Sequence, residues 1–243
     1  YYHIGLDDKT LREENYPKAV ASMQKVLDLD PDFHTASYHI FDVFAYNRDW
    51  EAMFQLALKY EKILPRKMKP RVIRAYENLG QYENADKYYK KLEKSLIDDK
   101  DKESLCFLNA NLAYNLGAED SLFQRAIQYA ERGLEICPPN HQWMRQSRFM
   151  FIGSTYEIEG PEAGKKAYKK FTTNMNLEEK FDFTYKLGRA IHFSPLNNAK
   201  FNLTSDDALY YINIALDLSK QKTSPKYASK FFTKAIYLHT KII

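Results

Sequence analysis

Apolar residues recur at intervals of three and four positions along most of the chain, a spacing that places them on one face of a helix. The first series contains Tyr16, Ala19, Met23 and Val26 and stops before Pro31. Proline lacks a backbone N–H and clashes with the preceding turn, so we expect the helix to end there. The pattern predicts an amphipathic helix whose apolar face packs against a neighbouring helix.

The same pattern returns at nearly constant spacing. An aromatic residue is followed three positions later by alanine at Tyr16, Tyr82 and Phe123, and Trp50 followed by Met53 fills the gap at the same phase. A period of about 34 residues is typical of stacked helical hairpins. The chain is therefore predicted to be an array of hairpins rather than a fold around one central core.

Short polar segments separate the expected helices. Asn47-Arg48-Asp49 and Leu79-Gly80-Gln81 are predicted to reverse the chain within hairpins, and 98–101 is predicted to be a loop. Phe123 follows Tyr82 by 41 residues. We place the surplus partly in the 98–101 loop and partly in a solvent-facing turn at 117–121, where an insertion costs little entropy.

The periodicity weakens after Gly160. The helix that follows can be phased on Ala163 or on Ala167, and we prefer Ala163. Residues 177–220 are expected to form one further hairpin. Residues 221–243 are expected to form a helix that either caps the array or begins a truncated hairpin, because a solenoid must cover its last apolar face.

Composition agrees with a helical chain. Gly (8) and Pro (9) are scarce and charged residues make up 28%, which disfavours a fold rich in strands and turns. The net charge is only +4, and Lys and Glu alternate along most segments. These charges indicate solvated helix faces rather than a nucleic-acid surface.

Several of these residues resemble the repeat of the tetratricopeptide-repeat family. Gly153 and Tyr156 match its first helix, Tyr82 and Ala85 match its second, and Pro31 matches its terminating proline. The resemblance implies an all-α fold, a right-handed superhelical solenoid of about six antiparallel helix hairpins that forms a single domain over 1–243. The expected repeats are approximately 1–32, 33–66, 67–101, 102–139, 140–176 and 177–220, followed by the capping or truncated helix at 221–243.

The sequence carries no pattern that predicts catalysis. It lacks the glycine-rich nucleotide loops and the His-Glu-x-x-His and Cys-x-x-Cys motifs. His39 and Asp42 share a helical face, but two ligands do not make a metal site. Cys106 and Cys137 are interpreted as buried apolar residues, with a disulfide as the alternative. We expect no enzymatic activity, no cofactor and no metal.

The family resemblance implies where a partner binds, because the first helix of each hairpin lines the concave side of the superhelix. The residues expected on that side are polar and aromatic, and they suit an extended peptide or a partner protein. They are Tyr38, His39, Asp42, Tyr46, Arg71, Arg74, Asn78, Asn109, Asn115, Ser154, Glu157, Tyr185, Arg189 and His192.

Some family members use Lys and Asn to clamp a C-terminal carboxylate, but Tyr38 and Asp42 stand at those positions here. The chain is therefore not expected to be a receptor for chaperone tails. Arg71 and Arg74 leave room for an acidic partner segment.

Three functional hypotheses follow. The first is a non-catalytic scaffold module that binds a protein or an extended peptide, binds no nucleic acid and forms one region of a larger protein. The second is a regulatory or sensor region that binds a peptide signal and controls an attached output domain. The third is an enzyme whose catalytic domain lies outside these residues.

The chain starts at Tyr1, inside what looks like half a hairpin, so we expect further residues before it. No run of residues is long and apolar enough to predict a membrane span. The sequence leaves the compartment open and only slightly favours the cytoplasm, because a truncated start would hide any targeting signal.

Overall fold

A computed structural model describes residues 11–61, 64–139, 141–193, 202–221, 233, 235–237 and 239–242, and these contain helices and turns but no strand. The all-α prediction is therefore confirmed. The α-helices in order are α1 (Arg12–Leu29), α2 (His34–Asn47), α3 (Trp50–Lys59), α4 (Pro70–Asn78), α5 (Tyr82–Asp98), α6 (Lys102–Tyr114), α7 (Phe123–Ile136), α8 (Gln142–Glu159), α9 (Pro161–Thr172), α10 (Leu177–Phe193) and α11 (Ser205–Lys220).

The chain divides into two compact units, residues 1–108 and 109–243, and the division falls within α6. In the first unit, consecutive helices pack against each other from α1 through α5. Ile40, Phe41, Met53 and Val72 are fully buried in its core. Burial of each such side chain contributes about 1.5–3 kcal/mol to the free energy of unfolding. The apolar residues spaced by three and four positions therefore determine which face of each helix packs against its neighbours.

The two hairpin turns of the first unit use the same backbone geometry. Arg48 has φ 57° and Gly80 has φ 71°, and each follows the end of a first helix. The next residue then donates its backbone N–H to a carbonyl of that helix, Asp49 to Phe44 and Gln81 to Tyr76, both at 2.9 Å. Both turns lie where the sequence predicts them.

The acidic loop is confirmed at 99–101, whereas Asp98 is the last residue of α5, and the charges of the loop have a structural role. Asp101 accepts a hydrogen bond at 3.0 Å from the backbone N–H of Ser104 at the start of α6. Arg66 forms ion pairs with Asp99 and, at 3.3 Å, with Asp101. The hydrogen bond from Ser104 and the nearby Arg66 hold the pKa of Asp101 below its usual value.

In the second unit the predicted solvent-facing turn at 117–121 is wrong for 117–119, because the helix continues to Glu119 and the turn begins only at Asp120. Residues Asn115–Glu119 form a π-helical turn that continues α6, and Leu116, Gly117 and Ala118 are buried. The extra residues therefore extend α6 by one wide helical turn at its C-terminal end. The sequence pattern assumes 3.6 residues per turn. A π-helical turn contains more residues than that, so the pattern places the additional residues in a loop.

Three helices of the second unit approach their neighbours at a glycine. A Cβ atom added at Gly133 would lie 2.5 Å from Oγ of Ser147, and one added at Gly164 would lie 3.1 Å from Cβ of Tyr156. One added at Gly188 would lie 2.7 Å from Cδ1 of Ile212. The preference for Ala163 over Ala167 is thus wrong, because Ala167 is buried beside Gly164 on the packed face of α9 whereas Ala163 is only partly buried.

The last described helix pair consists of α10 and α11, which pack against each other. A capping box begins α11, in which Asp207 donates its backbone N–H to Thr204 and Thr204 donates its own to the Asp207 carboxylate. Ala235 packs beside Phe181 and Leu218. Residues 194–201 of the polar link and most of 222–234 lie outside the described residues.

Neither Cys106 nor Cys137 is a free thiol, because both are disulfide-bonded. Both side chains are buried, as predicted, but the disulfide that the sequence analysis gave only as the alternative is the correct state.

Candidate functional site

Two predicted partner-binding residues of α2 and one of α4 meet on the surface of the first unit. Arg71 donates a hydrogen bond from Nη2 to Oδ1 of Asp42 at 2.9 Å, and its guanidinium carbon lies 4.3 Å from the ring centroid of Tyr38. The side chains of Arg71 and Asp42 are each 20% exposed, whereas Tyr38 is 46% exposed. We call Tyr38, Asp42 and Arg71 the Tyr38 surface.

Tyr46 belongs to a second aromatic and cationic group on the same unit. Its ring stacks on Tyr16 at 6.5 Å, and the guanidinium carbon of Arg12 lies 5.5 Å from the Tyr46 centroid and 5.8 Å from that of Tyr16. Burial raises the pKa of Tyr16, although the cation of Arg12 opposes the rise. The sequence indicated Tyr46 but not Arg12, which comes from the first turn of α1.

The remaining predicted residues of the first unit also belong to α2 and α4. Arg74 places its guanidinium carbon 5.1 Å from the ring of Trp50, and Asn78 donates a hydrogen bond to the Arg74 carbonyl at 2.9 Å. His39 is partly buried and meets the Tyr38 ring edge-on at 5.7 Å. The structure therefore groups Tyr38, His39, Asp42 and Arg71, with Arg74 and Tyr46 each in a separate ring contact.

The predicted residues of the second unit are less uniform. Asn109 and Ser154 are fully buried, so neither lines a surface. Asn115 donates to the carbonyl of Asn111 at 2.7 Å within the π-helical turn. Glu157 accepts a hydrogen bond at 2.9 Å from the side chain of Asn202, and a further one from its backbone N–H. These side chains are engaged by the chain itself.

The predicted residues of α10 have a common direction, because spacings of four and three positions place them on one helical face. Tyr185 is partly buried and stacks on Phe181 at 6.1 Å, Arg189 is exposed, and His192 is partly buried. Whether they bind a partner stays a prediction.

The second unit also contains a cleft of about 930 Å³ that sequence reasoning missed. Its walls are the first half of α8, the end of α9 with the segment that follows, and the start of α10; we call it the α8–α10 cleft. Its charged side chains are Arg145, Arg148, Lys170, Glu178, Glu179 and Asp182, and its apolar ones include Phe171, Met175 and Phe183.

The cationic side of this cleft is partly desolvated. Burial lowers the pKa of Arg148, and the nearby Glu179 carboxylate opposes that change. The guanidinium carbon of Arg148 lies 6.0 Å from the ring centroid of Phe183. Arg145 and Arg148 are three positions apart on one face of α8, and this spacing is the sequence signal that could have indicated the cleft.

Within the residues that the structure describes, no group of three or more His, Cys, Asp or Glu side chains could hold a metal ion. None of the described helices is both long enough and apolar enough to cross a membrane.

Comparison with known families supports the repeat assignment at one place. A family model described as tetratricopeptide repeat matches residues 74–95. The match begins at Arg74 in α4, crosses the Gly80 turn and ends within α5. The resemblance to this family is thus confirmed on a hairpin whose turn and packing agree with it. A search of curated proteins by sequence finds no match.

Solved structures of IFIT1 show similarity over most of the chain at low identity. A human IFIT1 dimer with m7Gppp-AAAA is 13% identical, with 94% of this chain and 67% of that chain covered and a TM-score of 0.29. A monomeric IFIT1 mutant with Gppp-AAAA is 14% identical, with coverage of 92% and 68% and a TM-score of 0.27. These TM-scores are too low to indicate a common overall arrangement.

Proposed function

We propose that the chain is a non-catalytic module that binds an extended peptide segment of a partner protein on the Tyr38 surface. The observation that supports this best is the exposed ring of Tyr38, which the guanidinium of Arg71 holds in place while Asp42 holds that guanidinium. An aromatic ring fixed in this way offers amphipathic contact area at a small entropic cost.

The chemistry of this surface suits a peptide rather than an apolar helix. Around the ring lie a guanidinium, a carboxylate and an imidazole, so a ligand can combine hydrogen bonds from its backbone with stacking of a side chain. Arg74 and its contact with Trp50 extend the same chemistry along α4. The helical hairpins act as a rigid support for these groups.

The test is selection of a random peptide library on the immobilised 243-residue chain, followed by calorimetry on the enriched peptides. We expect Tyr38→Ala to weaken the binding of these peptides by about 1–2 kcal/mol, since an exposed aromatic anchor is removed. Tyr82→Ala is the matched control, because Tyr82 is 45% exposed but lies on a second helix, α5. Equal weakening by both variants, or no enriched peptide, would contradict the proposal.

A further inference from the structure

The α8–α10 cleft has the dimensions of a ligand site. Its volume of about 930 Å³ lies within the range of pockets that hold small ligands or a few residues of a peptide. All of its walls belong to the second unit, so it is separate from the Tyr38 surface in the first.

The basic side chains of the cleft have donors available for a ligand. Arg145, Arg148 and Lys170 make no side-chain hydrogen bond or ion pair with any residue in the described ranges. Arg145 and Arg148 are both partly buried, so water solvates them less well than it solvates a surface arginine. An anionic group in the cleft would replace that missing solvation with charge-assisted hydrogen bonds.

The acidic side chains, in contrast, already have partners, Glu178 included. Glu179 accepts a hydrogen bond from the backbone N–H of Asn176 at 3.2 Å and helps to cap α10. Asp182 pairs with Lys186 at 2.6 Å, one turn further along. The groups that remain available to a ligand are therefore cationic. The neighbouring carboxylates still repel a ligand with a continuous run of negative charge, such as a nucleic-acid backbone.

The rest of the cleft is apolar. Phe171 and Met175 are partly buried at its edge, and Phe171 rests edge-on against Phe151 at 5.3 Å. Phe183 is buried and stacks on Tyr168 at 6.3 Å, which fixes the floor. A ligand that fills the cleft must bring apolar surface together with a small amount of negative charge.

We propose that the α8–α10 cleft binds a peptide segment of a partner protein that carries a carboxylate side chain next to a bulky apolar residue. The carboxylate lies between Arg145 and Arg148, and the apolar side chain lies on Phe171 and Met175. The forked donors of arginine match a carboxylate in two parallel hydrogen bonds, which gives the site selectivity for this group.

The experiment measures fluorescence anisotropy of a short labelled peptide in which glutamate alternates with leucine, titrated with the complete chain. A second peptide carries glutamine in place of glutamate. We expect the glutamate peptide to bind at least about tenfold more tightly, and Arg148→Gln to remove at least about tenfold of its affinity. Arg145→Gln should act in the same direction.

Arg132→Gln provides the matched control. It removes the same charge from α7, where Arg132 pairs with Glu135 at 2.8 Å outside the cleft, and it should leave the affinity unchanged. Arg148→Lys keeps the charge but loses the two parallel donors of the guanidinium, so its affinity should lie between those of the wild type and Arg148→Gln. Far-UV circular dichroism on each variant separates loss of binding from loss of folding.

Three results would overturn the proposal. The glutamine peptide could bind as tightly as the glutamate peptide, or Arg132→Gln could weaken binding as much as Arg148→Gln. A single-stranded RNA oligonucleotide could also displace the peptide at a lower concentration than unlabelled peptide does, which would assign the cleft to nucleic acid. Tyr38→Ala should leave this affinity unchanged, so the outcome is independent of the function proposed for the Tyr38 surface.

Discussion

Arg48 occupies a backbone position that glycine occupies in the next hairpin. Its φ of 57° is in the left-handed region, where a Cβ atom crowds the following carbonyl, whereas Gly80 reaches φ 71° without that cost. We expect Arg48→Gly to raise the free energy of unfolding by about 0.5–1 kcal/mol. Urea unfolding followed by circular dichroism measures the change.

Arg48→Ala separates the backbone effect from the loss of the arginine side chain. Alanine has the same Cβ crowding, so this variant should be no more stable than the wild type. If Arg48→Ala stabilised the chain as much as Arg48→Gly, the side chain rather than the backbone would be the cause.

The burial of Tyr88 makes the free energy of unfolding depend on pH in the alkaline range. Burial, together with the charge of Glu61, raises its pKa from 10.0 to about 12. Because the folded-state pKa lies above the unfolded one, the neutral phenol contributes stability that is fully present below about pH 10 and is lost as the pH rises towards 12. Tyr88→Phe cannot ionise and should show a smaller fall in stability across this interval.

The measurement is the urea midpoint at a series of pH values between neutrality and the alkaline limit, for the wild type, Tyr88→Phe and Tyr82→Phe. Tyr82 lies on the same helix but is 45% exposed, so its replacement is the matched control for loss of a tyrosine hydroxyl. Parallel curves for the wild type and Tyr88→Phe would contradict the predicted role of Tyr88.

At the scale of the helix pair, α10 and α11 approach each other at Gly188. A Cβ atom there would lie 2.7 and 2.8 Å from the side chain of Ile212 and 3.2 Å from the carbonyl oxygen of Ala208. Alanine is the better helix former by about 1 kcal/mol, but overpacking costs about 1–3 kcal/mol, so Gly188→Ala should be destabilising or at best neutral.

Two further variants identify the cause. Ala190→Gly, two positions along the same helix, measures the propensity difference without a new Cβ contact. Ile212→Ala removes the crowded atoms, so in that background Gly188→Ala should cost less than it does alone. Strict additivity of Gly188→Ala and Ile212→Ala in urea unfolding would rule out a clash between these two residues.

The same scale shows which elements the sequence could predict. The helices of the first unit follow from the spacing of Ile40, Met53 and Val72, because each apolar face packs against the helices next to it along the chain. Gly164 and Gly188 were harder to assign, since their role depends on how closely two helices approach. The π-helical turn was missed because Leu116 and Ala118 lie off the regular period yet are buried.

The binding residues show a similar limit. The contact of Tyr38 with Arg71 could be predicted from the sequence. Both residues fall on first helices of consecutive repeats, and the family resemblance implies that these helices share a face. The α8–α10 cleft joins three separate elements through Arg148, Lys170 and Glu179. No repeat pattern marks these positions, and their importance depends on which charges are already paired.

At the scale of the whole molecule, a chain built from consecutive helix pairs should lose structure locally. In a repeat array each hairpin is stabilised mainly by its nearest neighbours, so a local defect need not unfold distant helices. Gly188→Ala should therefore accelerate amide hydrogen exchange in α10 and α11, with little change in α2 and α4. Hydrogen exchange read by mass spectrometry resolves these segments.

Val72→Ala supplies the reciprocal defect, because Val72 is fully buried in the core of the first unit. Its truncation leaves a cavity among α2, α3 and α4, and exchange should rise there while α10 and α11 keep the protection of the wild type. Local responses in both variants would agree with nearest-neighbour stabilisation. An equal rise along the whole chain in either variant would instead show that these residues unfold as one cooperative body, in which case stability could not be assigned hairpin by hairpin.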